Sequence, residues 1–142
     1  KGGFFGFDLG HKGIREWKTE IGWGVYPEGI YDYIKSMKQR FGDIDFYITE
    51  NGIACRDDVE KDGVVQDDER IKYLDLHLKQ VKKAVDEGMK VKGYYLWSLM
   101  DNFEWTHGFS KRFGIVKVDY RTLERKIKKS GYWYRDLIRA NG

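Results

Sequence analysis

Two glutamates could carry chemistry in this chain, because each follows an apolar stretch that is typical of a strand. Glu50 comes directly after the run 46–49 and is followed at once by Asn-Gly. This predicts a short buried strand with Glu50 at its C-terminal tip, where the chain turns. Glu104 comes after a longer apolar run at 91–99. The C-terminal ends of the strands of an α/β barrel form the rim that carries active sites, so both acids could reach one rim.

Two carboxyl groups on one rim are suited to the hydrolysis of a glycosidic bond. That chemistry places one carboxyl group on each side of the bond, about 5–5.5 Å apart for retention of configuration and about 6.5–9.5 Å apart for inversion. Spacing alone leaves two interpretations open for Glu50 and Glu104. They are either an acid and nucleophile pair or two unrelated acids in surface loops.

The elements that must position these acids alternate between helix and strand. A helix is predicted from Pro27 to Gly42, and the strand 46–49 follows it. An acidic surface loop at 55–68 leads to a second helix, which Gly88 ends. Apolar residues at helical spacing predict the buried faces, namely Ile30, Ile34, Met37 and Phe41 in the first helix and Ile71, Leu74, Leu78, Val81 and Val85 in the second.

The second strand, 91–99, is a near-continuous apolar run of the kind found in parallel sheets that are covered on both faces. A long loop follows, with an extended piece at 113–120 and a basic stretch at 125–129 that we expect to be exposed. Ser130 is predicted to cap a last helix. The Gly-rich start of the chain is expected to be a loop with a short strand at 4–7.

The order helix, strand, helix, strand, long loop, helix predicts parallel βα units. Two short parallel strands have two open edges and leave sheet faces uncovered, whereas parallel sheets are almost always buried and multi-stranded. The chain is therefore expected to be part of a larger α/β barrel.

Composition and charge exclude several classes of protein. The 26 basic and 23 acidic residues are mixed along the chain and leave a net charge of +3, so no electrostatic footprint for nucleic acid is present. No apolar run approaches the ~20 residues of a membrane span, and no metal-ligand spacing is visible. Cys55 is the only cysteine, which rules out an internal disulfide and fits a reducing compartment, so a cytoplasmic location is favoured.

Two motifs identify a family. Residues 96–105 are Leu-Trp-Ser-Leu-Met-Asp-Asn-Phe-Glu-Trp, and residues 48–52 are Ile-Thr-Glu-Asn-Gly. Together they closely resemble the family 1 glycoside hydrolases, the β-glucosidase family. Further matches occur in the same order at 22–29, 68–74, 110–116 and 118–134. The resemblance covers residues 19–138 in register, and so many motifs in order argue against chance agreement.

The resemblance implies a (β/α)8 TIM barrel and a retaining mechanism. Glu50 matches the nucleophile that forms the glycosyl-enzyme intermediate. Glu104 matches a carboxylate that binds two hydroxyls of the glycone, so it loses the role of second catalytic acid. Trp97 matches the platform beneath the sugar ring, Trp105 matches a glycone contact through its indole N–H, and Phe113 lies in a stretch that lines the glycone pocket. The resemblance implies no metal and no organic cofactor.

Glu104 also bears on the substrate. Family members that act on 6-phosphorylated glycosides usually replace this acid with a small polar residue, and a carboxylate here would repel the phosphate. The expected substrates are therefore unphosphorylated β-glucosides or β-galactosides.

Other parts of the family's active site have no match in this chain. The general acid/base of the family is a glutamate in an Asn-Glu-Pro motif, which is absent, since Pro27 is the only proline. The upstream His and Asn that bind the glycone and the upstream Tyr that positions the nucleophile are absent too. Residues 1–142 are therefore expected to be the C-terminal segment of one catalytic barrel, about its last two to two and a half βα units. A complementary N-terminal chain would complete it, and the chain alone would be inactive or very weak.

Two other interpretations stay open. One is a sugar-binding or interaction module without catalysis, which would keep Trp97, Glu104 and Trp105 and need no acid. The other is an unrelated, self-sufficient α/β domain. Of the neighbouring residues, Asn51 is expected to serve the Asn-Gly turn and His107 to be a residue of the rim loop.

Overall fold

The computed structural model describes residues 17–141. The strand expected at 4–7 lies outside the described residues. The predicted alternation of helices and strands is confirmed, with short additional strands in the loops. In chain order the elements are α1 (Glu28–Phe41), β1 (Asp45–Asn51), β2 (Glu60–Lys61), β3 (Val64–Val65), α2 (Asp68–Asp86), β4 (Lys90–Leu96), a 3-10 turn (Trp105–His107), β5 (Val116–Val118), β6 (Arg125–Ile127) and α3 (Lys129–Asn141).

Helix α1 begins and ends where the sequence predicts. Pro27 occupies the N-cap position with φ −60°, which is already a helical value, and Glu28 places a negative charge in the first turn. Gly42 follows the helix with φ 80°, a left-handed conformation that glycine adopts readily, and its N–H donates to the carbonyl oxygen of Lys38. The chain then turns directly into β1.

Strands β1 and β4 form a two-stranded parallel sheet, which is the framework of the candidate site. Helices α1 and α2 cover one face of it. On that face Phe46, Ile48 and Val91 pack against a buried cluster made by the helices and the turn after α2. The members of this cluster are Tyr31, Ile34, Ala84 and Met89.

The other face of this sheet is open. Tyr47 and Tyr95 are 59% and 58% exposed, and they flank Gly93, where a β-carbon would lie 3.0 Å from each ring. The prediction that both strands are buried is therefore wrong for this face, because two strands provide nothing to cover it. The described residues form three two-stranded sheets, and these do not close a barrel.

Helix α2 has the predicted extent but buries a different set of residues. Leu74 and Val81 are buried as expected, whereas Val85 is exposed. Arg70 and His77 are buried instead, since each finds hydrogen-bond partners inside the fold. Hydropathy alone therefore misplaces part of the buried face of this helix.

Two segments expected to be irregular contain paired strands. The acidic loop 55–68 carries the antiparallel β2–β3 hairpin, and its turn residues Asp62 and Gly63 both have positive φ, as a tight hairpin requires. The basic stretch 125–129 contributes β6, which pairs antiparallel with β5. The expectation of exposure is confirmed for residues 125–127 but is wrong for Lys128, which is fully buried just after β6 and forms ion pairs with acids from two other segments.

Ser130 does not cap α3 as predicted, because the helix begins one residue earlier, at Lys129. Its backbone N–H and its hydroxyl instead donate to the two carboxylate oxygens of Asp67, at 2.8 and 2.5 Å. This contact fixes the start of α3 to the start of α2. Among the helices of residues 17–141, none is long and apolar enough to cross a membrane.

Candidate active site

Glu50 lies one residue before the end of β1, and its side chain is exposed. The segment that follows it is anchored, because Ile53, Ala54 and Cys55 are buried. A strand on one side and a buried segment on the other hold the backbone of Glu50 in place. The sequence prediction of an acid at a strand tip is therefore confirmed, although the strand itself is not buried on both faces.

Cys55 is not a plausible nucleophile in this setting. Burial raises the pKa of its thiol to about 12, so the reactive thiolate is scarce at neutral pH. Glu50 is the acidic side chain that β1 presents to solvent just before this turn, and it remains the candidate nucleophile.

Trp97 packs directly against the turn after Glu50. Its backbone N–H donates to the carbonyl oxygen of Asn51 at 2.9 Å, and its peptide bond to Ser98 is cis. A β-carbon at Gly52 would lie 1.6 Å from the carbonyl oxygen of Trp97, so only glycine fits there. This close approach holds the backbone of Trp97 against the turn that follows the candidate nucleophile.

Glu104 is held in the loop after β4 by a short polar chain. Its carboxylate accepts a hydrogen bond from the Asn102 amide at 3.0 Å, and Asn102 in turn accepts one from the hydroxyl of Ser98 at 3.1 Å. The backbone N–H of Glu104 donates to the carbonyl oxygen of Gly108 at 2.7 Å, which closes the loop. Glu104 is therefore linked through two side chains to the residue that follows Trp97.

The remaining two predicted site residues have opposite environments. Trp105 is 80% exposed at the start of the 3-10 turn, and Phe113 is only 3% exposed. The carbonyl oxygen of Phe113 accepts from the backbone N–H of Ser98 at 3.3 Å. Phe113 thus supports the loop that carries Glu104, while Trp105 presents its whole ring to solvent.

Arg70 joins the segment after Glu50 to the segment around Phe113. Its guanidinium donates to the carbonyl oxygens of Ile53 at 2.5 Å, Phe113 at 3.0 Å and Arg112 at 3.1 Å. It also forms a buried ion pair with Asp67 at 2.9 Å. One fully buried side chain therefore fixes two loops of the candidate site relative to each other, a role that sequence reasoning missed.

Asp101, a buried residue of the same loop as Glu104, anchors that loop through hydrogen bonds and ion pairs. One of its oxygens accepts from the backbone N–H of Gly114 at 3.0 Å and from Lys128 at 2.9 Å. The other accepts from the backbone N–H of Val118 at 3.2 Å and from Arg112 at 3.3 Å. All four lone-pair directions of this carboxylate are used, so the loop has a rigid base.

Asp57 completes this buried ionic cluster. Its carboxylate lies 2.5 Å from Lys128 and 3.5 Å from Arg70, although neither oxygen has the geometry of a hydrogen bond. Burial raises the pKa of Asp57, and the charges of Lys128 and Arg70 oppose that rise. The cluster therefore places opposite charges together in a buried region between the loops.

A groove of about 410 Å³ runs past Glu50 along the outer edge of β1. Every residue from Phe46 to Asn51 lines it, together with side chains from α1 and its approach. Consecutive strand residues point to alternate faces, so a groove that touches all of them follows the edge of the strand. This edge has no partner strand among the described residues.

A second groove of about 380 Å³ adjoins the same turn, and Trp23 and Gly52 both line it. Trp23 is exposed. It belongs to residues 22–29, one of the segments that resemble the family 1 glycoside hydrolases. No role could be assigned to it from sequence, because its proximity to the turn depends on the fold.

His77 lines both grooves. Its ring stacks on Tyr73 with centroids 3.9 Å apart, and its Nδ1 lies 2.8 Å from the carbonyl oxygen of Tyr73. Because a carbonyl oxygen can only accept, Nδ1 carries the proton. Burial lowers the pKa of His77, which keeps the ring neutral. Within residues 17–141, no cluster of three or more His, Cys, Asp or Glu side chains could hold a metal ion.

Comparison with known proteins identifies the family. The sequence profile of glycosyl hydrolase family 1 matches residues 11–142. A β-glucosidase A from Acetivibrio thermocellus is 50% identical over 88% of this chain, and a 6-phospho-β-galactosidase from Leptotrichia buccalis is 45% identical over 84% of it. The chain belongs to glycosyl hydrolase family 1.

A solved structure supports the same conclusion. The family 1 β-glucosidase from Thermotoga maritima in complex with isofagomine lactam matches 89% of this chain with 52% identity and a TM-score of 0.85. This chain covers 29% of that structure and 28% of the A. thermocellus relative. It therefore spans less than a third of the length of the proteins that it resembles.

Proposed function

We propose that this chain is the C-terminal segment of a retaining β-glycosidase barrel and carries its nucleophile, Glu50. The observation that supports this most is the tip of β1, where Glu50 is exposed and the next residue, Asn51, accepts a hydrogen bond from the backbone N–H of Trp97. An ionised carboxylate at a strand end can be aimed rigidly at an anomeric carbon. Trp97 beside it would provide the flat surface on which a sugar ring stacks.

The proposed reaction has two steps. First, a Glu50 carboxylate oxygen bonds to the anomeric carbon, the glycosidic bond breaks, and the leaving oxygen takes a proton from an acid on the complementary part of the barrel. Second, the conjugate base of that acid takes a proton from a water molecule. The water oxygen bonds to the anomeric carbon, and the bond from this carbon to Glu50 breaks. The product is the free sugar with its configuration retained. The acid step contributes about 10²–10⁴-fold to such reactions, so the chain alone is expected to be nearly inactive.

The fold supports a complementary chain in physical terms. The outer edge of β1 follows a groove and has no partner among the described residues, and Tyr47 and Tyr95 expose large rings on the open face of the sheet. Unpaired strand edges and exposed aromatic faces are both unfavourable in water. Further parallel strands of a barrel would pair with the edges and cover the face.

Glu104 supports the substrate class. Its carboxylate uses one oxygen to accept from Asn102, which leaves further lone pairs for sugar hydroxyls. A phosphate at the same place would meet a like charge. Since a 6-phospho-β-galactosidase is among the relatives, family membership alone does not decide this point. We therefore assign unphosphorylated β-glucosides or β-galactosides on the charge of Glu104.

The direct test is a chimera, called here the completed barrel, in which this chain replaces the matching segment of the T. maritima β-glucosidase. It should hydrolyse aryl β-glucosides and release the β-anomer first, as followed by NMR, whereas the isolated chain should not. A sugar-binding module would bind the glycoside in the completed barrel without hydrolysing it. Release of the α-anomer first would contradict the retaining mechanism.

The complementary chain is tested separately. The remaining part of the T. maritima enzyme is co-expressed with this chain as two polypeptides, and the purified material is weighed by native mass spectrometry. A one-to-one complex is the expected result. A stable, compact monomer of this chain alone would contradict the proposal, because its open edges would then need no partner.

A further inference from the structure

The pairing of β1 with β4 shifts twice, once between Phe46 and Tyr47 and again, in the opposite sense, between Ile48 and Asn51, the stretch that contains Glu50. The second shift bears on the candidate site. Ile48 pairs with Tyr94 and Asn51 pairs with Leu96, so three steps along β1 correspond to two steps along β4. Such a mismatch is a β-bulge, in which one extra residue is inserted into one strand. The extra residue lies at Thr49 or Glu50.

The bulge changes the side of the sheet on which the strand tip presents its residues. Ile48 packs on the face that the helices cover. The side chain of Asn51 also reaches that face, since it contacts Tyr73 of α2. Residues three apart in a regular strand point to opposite faces, so the bulge is what brings both to the same side.

The consequence for Glu50 is specific. In a regular strand Glu50 would lie two residues after Ile48 and share its helix-covered face, where a carboxylate would be buried without a partner. The extra residue of the bulge interrupts the regular alternation of side chains, so Glu50 need not point to the helix-covered face, and its side chain is exposed. The irregularity at Thr49 and Glu50 therefore makes the acid available to a ligand.

Asn51 is the residue that holds the bulge in place. Its side-chain oxygen accepts from the hydroxyl of Tyr94 at 2.7 Å, and its side-chain nitrogen donates to the hydroxyl of Tyr73 at 3.3 Å. Its carbonyl oxygen accepts from the N–H of Trp97 at 2.9 Å. One residue is thus fixed to β4, to α2 and to the loop after β4.

We propose that Asn51 is a positioning residue, which aims the carboxylate of Glu50 by fixing the β-bulge between the hydroxyls of Tyr94 and Tyr73. This proposal rests on the proposed role of Glu50 as nucleophile. It adds to the expectation that Asn51 serves the Asn-Gly turn. An amide suits the task because it accepts and donates at once, whereas leucine or alanine at 51 can do neither.

The test measures how fast Glu50 is labelled in the completed barrel by a 2-deoxy-2-fluoro-β-glucoside with a good leaving group. Reaction of this reagent is governed by a dissociation constant for binding and a rate constant for bond formation. Asn51→Ala and Tyr94→Phe should each lower the rate constant about 10–100-fold, since a small misplacement of the attacking atom is costly. The dissociation constant should change by less than about 3-fold, because the sugar contacts stay.

Two controls separate positioning from loss of stability. Tyr31→Phe removes the hydrogen bond from Tyr31 to Glu87, which joins α1 to the turn after α2 in the same layer of helices. It should leave the labelling rate constant within about 2-fold. The double variant Asn51→Ala with Tyr94→Phe should be less impaired than the product of the two single effects, because both remove the same bond. Tyr94→Phe keeps its ring and preserves the packing even if Asn51→Ala fails to fold.

The outcomes distinguish the two proposals. If the unmodified completed barrel is not labelled at Glu50, the proposed function fails, and the role of Asn51 fails with it. If the barrel is labelled and Tyr94→Phe reacts at an unchanged rate, the role of Asn51 alone is overturned. An equal loss in Tyr31→Phe would also overturn it, since general loosening would then explain the effect.

Discussion

The carbonyl oxygen of Trp97 lies 1.6 Å from the position that a β-carbon on Gly52 would occupy. The turn after Glu50 and the residue that begins the next loop are therefore in direct backbone contact, and no side chain fits between them. This contact brings together two of the residues that the sequence singled out, although 45 positions separate Gly52 from Trp97.

Gly52→Ala is expected to destabilise the completed barrel. The clash involves backbone atoms on both sides, which cannot rotate away as a flexible side chain could, so the free energy of unfolding should fall by about 1–3 kcal/mol. Gly24→Ala is the matched control, because a β-carbon at Gly24 would meet nothing within 4 Å. Thermal unfolding compares the two variants. Equal midpoints would show that the turn can open and that the contact does not constrain it.

Lys128→Met is expected to be much more harmful than Lys126→Met. Lys128 is fully buried between Asp57 and Asp101, and its loss leaves two buried carboxylates without their shared cation. Breaking a buried pair in this way costs about 3–5 kcal/mol. Lys126 is half exposed, with its acid partner Glu124 3.8 Å away, so its replacement should cost less than about 1 kcal/mol. Urea unfolding measures the free energy of unfolding of both variants. An equal decrease in the two would show that burial of Lys128 between two acids does not stabilise the fold.

Helix α1 and the alternation of helices and strands could be predicted from sequence because their signals are local. Pro27, Gly42 and Gly88 stand beside the helix ends that they help to define. The ionic cluster could not be predicted in the same way. In the sequence, Lys128 is one residue of a basic stretch that is typical of a surface. Its partners Asp57 and Asp101, which are distant in the chain, explain why it is buried.

The same distinction applies to the candidate site. Glu50 could be placed at a strand tip from its neighbours in the chain. The bulge that exposes it could not, because the register depends on how Ile48 and Asn51 meet residues of β4. Arg70 was missed for a similar reason, since its carbonyl partners belong to two separate loops.

Glu104→Gln is expected to weaken catalysis on unphosphorylated glucosides in the completed barrel. A neutral amide loses charge-assisted bonds to the sugar hydroxyls, and kcat/KM should fall about 10–100-fold for each such bond. Removal of the negative charge should at the same time reduce discrimination against a 6-phosphorylated aryl glucoside. Glu124→Gln, on the surface, is the control. If the ratio of kcat/KM for the unphosphorylated and the 6-phosphorylated aryl glucoside were unchanged in Glu104→Gln, Glu104 would not determine the discrimination between them.

His77 is expected to make stability depend on pH. Burial lowers its pKa in the folded state, so between the folded value and the ordinary value of about 6.5 the unfolded chain binds more protons. The free energy of unfolding should therefore fall as pH drops below about 6.5. His77→Gln should reduce this slope between pH 7 and pH 5, as measured by urea unfolding of the completed barrel. An unaltered slope in His77→Gln would show that His77 accepts a proton in the folded state as easily as in the unfolded one.

Glu50 is expected to form a covalent bond to the anomeric carbon of the sugar. The completed barrel is incubated with a 2-deoxy-2-fluoro-β-glucoside, digested, and analysed by tandem mass spectrometry. The predicted result is one added fluoroglucosyl group on the peptide that contains Glu50, and none in Glu50→Gln. A label on another residue, or hydrolysis of an aryl glucoside that persists at full rate in Glu50→Gln, would show that Glu50 is not the nucleophile.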